Sequence, residues 1–159
     1  MSLAMTLGMT IGVGKTLYMM LGEVLGVALV AILAVLGVAG LMLQYPLVFT
    51  SLKWIGALYL AYLGYKMWVT QVRLNLSADV VSRKIAPSRL FLQGFVTAIS
   101  NPKGWAFMIS VLPPFIDISK SLSPQLLVLV SIIMLSEFVC MLIYACGGKW
   151  LKGLLNKGN

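Results

Sequence analysis

The longest charge-free run of the chain, from Val24 to Leu52, reads VLGVALVAILAVLGVAGLMLQYPLVFTSL. A helix that crosses a bilayer needs about 20 largely apolar residues, so this run can contribute to two such helices if it turns back on itself. The tripeptide Gln44-Tyr45-Pro46 supplies the turn, because proline fits the first turn of a helix, where its missing N–H costs nothing. We therefore predict two antiparallel neighbouring membrane helices, over about 17–43 and 46–69.

The composition of the whole chain favours a membrane environment. Hydrophobic residues make up 60% of the 159 residues and charged residues 10%, whereas soluble domains carry about 25% charged residues. Two further runs meet the length criterion, at 89–112 and 124–147, and a leading segment, 1–14, is too short to cross. The sequence thus predicts an all-α, polytopic membrane helix bundle with four full transmembrane helices and a leading half-helix, in a single integral membrane domain over residues 1–159.

Residues that most enzyme classes require are missing. The chain has no histidine, and its two cysteines, Cys140 and Cys146, both lie inside an apolar run. Zinc sites, catalytic Ser-His or Cys-His pairs and CxxC redox motifs are excluded on these grounds. We therefore expect a protein that is not an enzyme and that needs no metal and no cofactor.

The net charge of +8 raises the question of a nucleic-acid partner. A nucleic-acid-binding protein gathers its basic residues on one face of a soluble fold, whereas here they lie in short loops between apolar runs. We therefore expect no nucleic-acid partner.

The placement of the cations predicts the orientation in the membrane. With the spans threaded alternately, nine of the twelve cations fall on one side, Lys53 and Lys120 fall on the other, and Lys103 lies within the membrane. The positive-inside rule assigns the side rich in lysine and arginine to the cytoplasm. The long polar loop 70–88 and the C-terminus are therefore predicted to be cytoplasmic. The nine cations are Lys15, Lys66, Arg73, Arg83, Lys84, Arg89, Lys149, Lys152 and Lys157.

The motif Ser100-Asn101-Pro102-Lys103-Gly104 lies at the midpoint of the 89–112 span. Proline removes a backbone hydrogen bond and clashes with the preceding turn, so we predict a helix broken at Asn101-Pro102. In lipid a broken backbone is tolerated only where protein or a water-filled cavity satisfies its polar groups. The motif therefore indicates a cavity.

A charged Lys103 near the bilayer centre costs about 2.5–3.5 kcal/mol on insertion scales, so it should face the protein interior. One interpretation is a structural cation that a carboxylate neutralises or that snorkels towards the interface. The other, which we prefer, is an anchor for an anionic group such as a substrate carboxylate.

Two carboxylates and two tyrosines are further candidates. Glu137 lies near mid-membrane, and Glu23 lies about six residues inside the cytoplasmic end of its helix, where partial hydration is expected. A buried carboxylate can carry a proton during transport, so both are candidate proton or charge relays, although Glu137 could equally pair with Lys103. Tyr59 and Tyr62 lie centrally in the 46–69 span and are candidates to line a cavity.

The spacings Gly8-x-x-x-Gly12 and Gly22-x-x-x-Gly26 permit close approach of helices. Packing explains both motifs without any further function. We therefore expect helix contacts at these four glycines.

Three stretches taken in order resemble the lysine exporter family (LysE/RhtB type) of amino-acid efflux translocators. They are Leu52–Gly64 (LKWIGALYLAYLG), Phe91–Phe95 leading to Asn101-Pro102-Lys103, and Leu112–Ile116 (LPPFI). Members of that family typically have six helices, in two three-helix repeats of inverted topology. The Pro-Gly-Pro-like break of their first helix is absent here, so the resemblance implies a chain that lacks half of helix one and all of helix six.

The resemblance also implies a function. It implies a multi-pass secondary transporter of the bacterial inner (plasma) membrane, which exports amino acids or close derivatives, with proton antiport as the energy source. On this interpretation Asn101, Pro102 and Lys103 bind the substrate, and Glu137 and Glu23 relay charge. The alternative is a non-transporting truncated membrane protein or an assembly partner of a related transporter. The expected partners are an amino acid, membrane lipid and a second copy of the chain in a homo-oligomer.

Overall fold

The computed structural model describes residues 1–69, 85–117 and 119–157, and every regular element in these ranges is a helix. This result confirms the predicted all-α membrane helix bundle. The elements are α1 (Ser2–Thr10), α2 (Val13–Gln44), α3 (Pro46–Val69), α4 (Pro87–Ile99), α5 (Pro102–Val111), a short 3₁₀ helix (Pro113–Phe115) and α6 (Leu122–Lys157).

Two segments of the described chain are long and apolar enough to cross a membrane. They are Val13–Gly37 within α2 and Leu122–Leu151 within α6. The predicted spans over α3 and over the α4–α5 pair, and with them the count of four, stay predictions.

Prolines mark the starts of three helices. α3 begins at Pro46, as expected, and α5 begins at Pro102, so the predicted helix break is confirmed. α4 begins at Pro87. The predicted loop 70–88 is therefore too long at its C-terminal end, since Pro87 and Ser88 are helical. Proline tolerates the first helical turn because the N–H that it lacks has no partner there. Residues 70–84 of that loop lie outside the described residues.

The last helix is longer than the predicted span. The sequence predicts a membrane span over 124–147, and α6 runs from Leu122 to Lys157. The length of an apolar run measures the part of a helix that lies in lipid, whereas the hydrogen bonds of a helix continue equally well in a polar surrounding. A helix longer than 124–147 is compatible with that span, which stays a prediction.

The leading segment forms a separate helix, α1, that ends at a turn. The backbone N–H groups of Ile11 and Gly12 both bond to the carbonyl oxygen of Leu7, and Gly12 has a φ of +85°. Glycine adopts this left-handed conformation without the steric penalty that a Cβ imposes. Gly12 therefore separates α1 from α2 and makes no close helix contact, contrary to expectation.

The chain divides into two compact units. Unit 1 comprises Met1–Val27, Leu76–Ile99 and Ile132–Asn159, and unit 2 comprises Ala28–Asn75 and Ser100–Ser131. The chain passes from unit 1 to unit 2 at the helix break. The predicted single membrane domain stays a prediction.

Unit 1 is held together by direct backbone contacts at glycines. A Cβ at Gly8 would overlap the carbonyl oxygen of Ala145 in α6, and a Cβ at Gly22 would overlap that of Phe91 in α4. At Gly26 an added Cβ would lie 2.7 Å from the Cβ of Ala98. The expected close approach is therefore confirmed at three of the four predicted glycines. Around these contacts packs a cluster of buried side chains that includes Ala4, Leu7, Met19, Met20, Leu90 and Met141.

In unit 2, α3 packs against α5, and Gly56 leaves room for the hydroxyl of Ser110. The turn before α6 is tied by Gln125, whose Oε1 accepts the N–H of Asp117 (2.8 Å) and whose Nε2 donates to the carbonyl oxygens of Asp117 (2.9 Å) and Ser121 (3.1 Å). The first turn of α6 is thereby fixed to the loop that precedes it.

Candidate functional site

Asn101 forms the N-cap of α5 at the helix break. Its backbone is extended (φ −85°, ψ 102°), and its Oδ1 accepts the backbone N–H of Lys103 at 3.1 Å. A residue before proline is biased towards this conformation, and asparagine is among the best capping residues. The Asn-Pro pair therefore ends one helix and starts the next by local chemistry alone.

The first turn of α5 concentrates positive charge. Pro102 carries no N–H, Asn101 accepts the N–H of Lys103, and the side chain of Lys103 supplies the formal positive charge of this turn. The N-terminus of a helix also carries a partial positive charge. Asn101, Pro102 and Lys103 are all exposed within the chain, contrary to the expectation that Lys103 faces the protein interior. This arrangement suits an anion such as a carboxylate.

Tyr59 and Tyr62 lie three residues apart on α3, the helix that packs on α5, and therefore on one face. Their exposed fractions are 36% and 57%. Their predicted role in lining a cavity stays a prediction.

Glu23 lies in the interior of unit 1. It is 8% exposed, and its Oε1 lies 3.7 Å from the amino group of Met1. Its Oε2 is buried without a hydrogen-bond partner. The expected partial hydration is therefore wrong, because α4 packs closely against α2 here: a Cβ at Gly94 would lie 2.9 Å from the backbone nitrogen of Glu23.

Glu137 belongs to the same unit as Glu23, on α6. It is half-buried. Glu23 and Glu137 thus both belong to unit 1, while the Asn-Pro-Lys motif and the two tyrosines belong to unit 2. The alternative pairing of Glu137 with Lys103 stays a prediction.

A groove in unit 2 contains none of the predicted site residues. It has a volume of about 470 Å³ and is lined by Ile32, Leu36, Leu122, Ser123, Leu126, Leu127, Val130 and Ser131. The α6 residues among them recur at helical spacing. The sequence did not reveal this face because residues 126–130 of α6 are all apolar, so no polar residue marks one side of this stretch from another. Among the described residues, no group of three or more Cys, Asp or Glu side chains could hold a metal ion.

The fold and the break define a helical membrane protein with a discontinuous helix, an arrangement common in secondary transporters. The chain belongs to the LysE type translocator family, whose family model matches residues 1–159. Membership confirms the resemblance drawn from the sequence and indicates a bacterial inner-membrane protein.

Three relatives illustrate the similarity. The chain is 34% identical over 122 residues to an uncharacterized membrane protein of Vibrio cholerae. The aligned residues cover 77% of this chain and 58% of the relative. It is 29% identical to the uncharacterized membrane protein YrhP of Bacillus subtilis (85% of this chain, 70% of the relative). It is 35% identical to a leucine efflux protein of an Enterobacter strain (69% and 52%). The chain thus spans between about half and 70% of these relatives. No solved structure matches it.

Proposed function

We propose that the protein is a secondary transporter that exports amino acids or close derivatives from the cytoplasm. The observation that carries the proposal is the capped break at Asn101-Pro102-Lys103 in a chain that belongs to the LysE type translocators. Relatives from Enterobacter and Salmonella are named leucine efflux proteins, which supports an amino acid as the substrate.

In this proposal the substrate carboxylate binds at the start of α5. The ammonium group of Lys103 contacts the carboxylate, and the partial charge of the helix N-terminus adds to the attraction. Asn101 and Pro102 position Lys103, because the cap and the fixed proline φ determine where the first turn begins. Tyr59 and Tyr62 of the neighbouring α3 line the approach to this site.

Proton antiport provides the energy in this proposal, with Glu137 and Glu23 as the relaying carboxylates. The loop 70–88 and the C-terminus face the cytoplasm, as the distribution of cations predicts. Membrane lipid and a second copy of the chain are the partners that would cover the exposed apolar faces.

Efflux from cells tests the proposal. Bacteria that express the chain are loaded with labelled leucine, and its release is compared with that from cells lacking the chain, at equal membrane levels of protein. We expect faster release from the expressing cells, a loss of release with Lys103→Ala and partial retention with Lys103→Arg. Lys120→Ala is the matched control, because Lys120 forms its ion pair with Asp117 in the loop before α6.

The outcomes separate the two hypotheses of function. Equal release from wild type and Lys103→Ala would remove Lys103 from the mechanism while leaving the exporter intact. Release no faster than from cells without the chain would instead favour a non-transporting protein or an assembly partner.

A further inference from the structure

Three exposed cations of unit 1 lie on three different helices. Lys15 belongs to α2, Arg89 to α4 and Lys149 to α6, and each is exposed within the chain. The ion pairs among the described residues involve other groups, so no carboxylate of the described chain neutralises these three. Their shared position follows from the packing of the helices that carry them.

The glycine contacts place Arg89 at the end of unit 1 where α2 begins. A Cβ at Gly22 of α2 would overlap the carbonyl oxygen of Phe91, and a Cβ at Gly26, one turn later, would lie 2.9 Å from that of Phe95. Because both helices advance together from one contact to the next, α2 and α4 run in the same direction. Arg89, which precedes all these contacts on α4, therefore lies towards the end of the unit that carries the start of α2.

α1 brings Lys149 to the same end. The amino group of Met1 lies 3.7 Å from Oε1 of Glu23 in α2, and the turn after α1 leads directly into α2, so the two helices run in opposite directions. The last turn of α1 is therefore at the end where α2 begins. An added Cβ at Gly148 of α6 would lie 3.0 Å from Cγ of Met9 in that last turn, and Lys149 is the next residue.

This end of unit 1 coincides with the boundary of two apolar segments. The segment Val13–Gly37 of α2, long and apolar enough to cross a membrane, begins here, and the corresponding segment Leu122–Leu151 of α6 ends here. Lys15 and Lys149 each lie within one helical turn of that boundary. The neighbouring Trp150 is 68% exposed, and tryptophan concentrates where a membrane meets water. The cations are therefore at the depth of the lipid headgroups.

No negative side chain of the described residues balances this charge. The acidic side chains in the described part of unit 1 are Glu23 and Glu137. Glu23 lies eight residues beyond Lys15 on α2, and Glu137 lies twelve residues before Lys149 on α6. At 1.5 Å per residue these separations are about 12 Å and about 18 Å along the helix axes, which is too far for an ion pair. The three cations therefore present an unbalanced positive charge.

We propose that Lys15, Arg89 and Lys149, together the basic end of unit 1, form a binding surface for anionic phospholipid headgroups. A guanidinium group binds two phosphate oxygens at once, and the two lysines add compact positive charges. A lipid phosphate already lies at the depth of these cations, whereas an acidic protein would have to displace the headgroups to reach them. The positive-inside rule assigns this end to the cytoplasmic leaflet. The proposal does not depend on transport.

Quenching by brominated lipids tests the proposal, because bromine atoms on an acyl chain quench a tryptophan that they contact. The full chain keeps Trp150, with phenylalanine in place of the other three tryptophans. It is reconstituted in phosphatidylcholine vesicles that contain increasing shares of brominated phosphatidylglycerol or, separately, brominated phosphatidylcholine. We expect a larger association constant for phosphatidylglycerol at Trp150, and a smaller difference between the two lipids when the ionic strength is raised.

A second reporter provides the matched control. Trp54 follows Lys53 in α3 as Trp150 follows Lys149 in α6, but it belongs to unit 2. In a chain that keeps Trp54 alone, we expect a weaker preference for phosphatidylglycerol. An equal preference at the two tryptophans would show that one lysine beside a tryptophan suffices, and would overturn the shared surface.

Substitutions decide whether the three cations act together. Each of Lys15→Gln, Arg89→Gln and Lys149→Gln should lower the preference at Trp150 by about fivefold, the factor that the attraction of one basic residue to an anionic membrane surface supplies. Lys120→Gln, in the loop before α6, should leave it unchanged. Equal association constants for the two lipids in the unsubstituted chain, or a preference that only Lys149→Gln lowers, would each reject the proposal. Because none of these results depends on leucine release, they stand apart from the test of the exporter.

Discussion

Gly94 of α4 lies directly against the carbonyl oxygen of Met19 in α2, one helical turn before the buried Glu23. No side chain separates the two backbones at this point. In membrane proteins such close approaches rest on packing between small residues, and here the contact also holds the backbone that carries Glu23 against α4.

The contact predicts that Gly94→Ala destabilises the protein. The added methyl group would overlap backbone atoms, and overpacking of this kind typically costs about 1–3 kcal/mol. Denaturant unfolding in detergent, followed by helical circular dichroism, measures the change. Gly64→Ala is the control, because a Cβ there meets nothing within 4 Å, and it should leave stability unchanged or raise it by about 1 kcal/mol. Equal stabilities of the two variants would contradict the packing.

Two adjacent glycines in α6 offer a matched comparison. A Cβ at Gly148 would overlap the carbonyl oxygen of Met5 in α1, whereas a Cβ at Gly147 meets nothing within 4 Å. We expect Gly148→Ala to lower the unfolding midpoint and Gly147→Ala to leave it unchanged or higher. If α1 does not pack here, both variants will behave alike.

The cap of α5 should be measurable through Asn101. Asn101→Ala removes the oxygen that accepts the N–H of Lys103, and the loss of such a cap costs about 1 kcal/mol. Hydrogen exchange at the Lys103 amide should accelerate in Asn101→Ala and stay slow in Asn101→Asp, which retains an acceptor. Ser100→Ala serves as the control from the same turn. Unaltered exchange in Asn101→Ala would show that the cap does not hold this turn.

The loop before α6 predicts a pH effect. The hydroxyl of Ser119, then its backbone N–H, then the ammonium of Lys120 hold the pKa of the Asp117 carboxyl below its ordinary value. Because the folded pKa is the lower one, the stability that Asp117 adds is present above its unfolded pKa and is lost as the pH falls through the folded pKa. Titration by NMR should show a higher pKa in Ser119→Ala, with a smaller rise in Lys120→Ala. The reverse order would contradict the assignment of the Ser119 hydroxyl as the main cause.

Gln125 should hold that loop on α6. Gln125→Glu keeps an acceptor for the N–H of Asp117 but loses the donor to the carbonyl oxygens of Asp117 and Ser121, whereas Gln125→Ala loses both. Hydrogen exchange at the Asp117 amide should accelerate in Gln125→Ala and change less in Gln125→Glu. If both variants exchange like wild type, the loop does not depend on Gln125.

The helix break could be predicted from the sequence, because both of its determinants are local. Pro102 cannot continue a helix, and Asn101 caps the next one, whatever packs around them. The start of α3 at Pro46 was predicted in the same way, whereas Pro87 was placed in the loop 70–88 although it begins α4. The length of the apolar run did not indicate where α6 ends, because apolar composition predicts which residues contact lipid and not where the helix stops.

The partners of the packed glycines could not be predicted. Gly22 and Gly26 indicated a close approach, but nothing in their neighbourhood pointed to Phe91 and Ala98 of α4. The same limit explains why Glu23 was expected to be partly hydrated: its burial depends on Gly94, far away in the sequence. The residues next to a position in the sequence predict its backbone conformation. Its burial and its contacts depend on the tertiary fold.

The glycine contacts of unit 1 also restrict how this sequence can vary. Alanine is the smallest replacement available to a glycine, and at Gly8, Gly22, Gly94 and Gly148 it already collides with a backbone oxygen. A single substitution at any of these positions can only enlarge the residue, and the opposing backbone has no atom to remove in compensation. The positions with the least side chain are therefore the ones with the least mutational freedom.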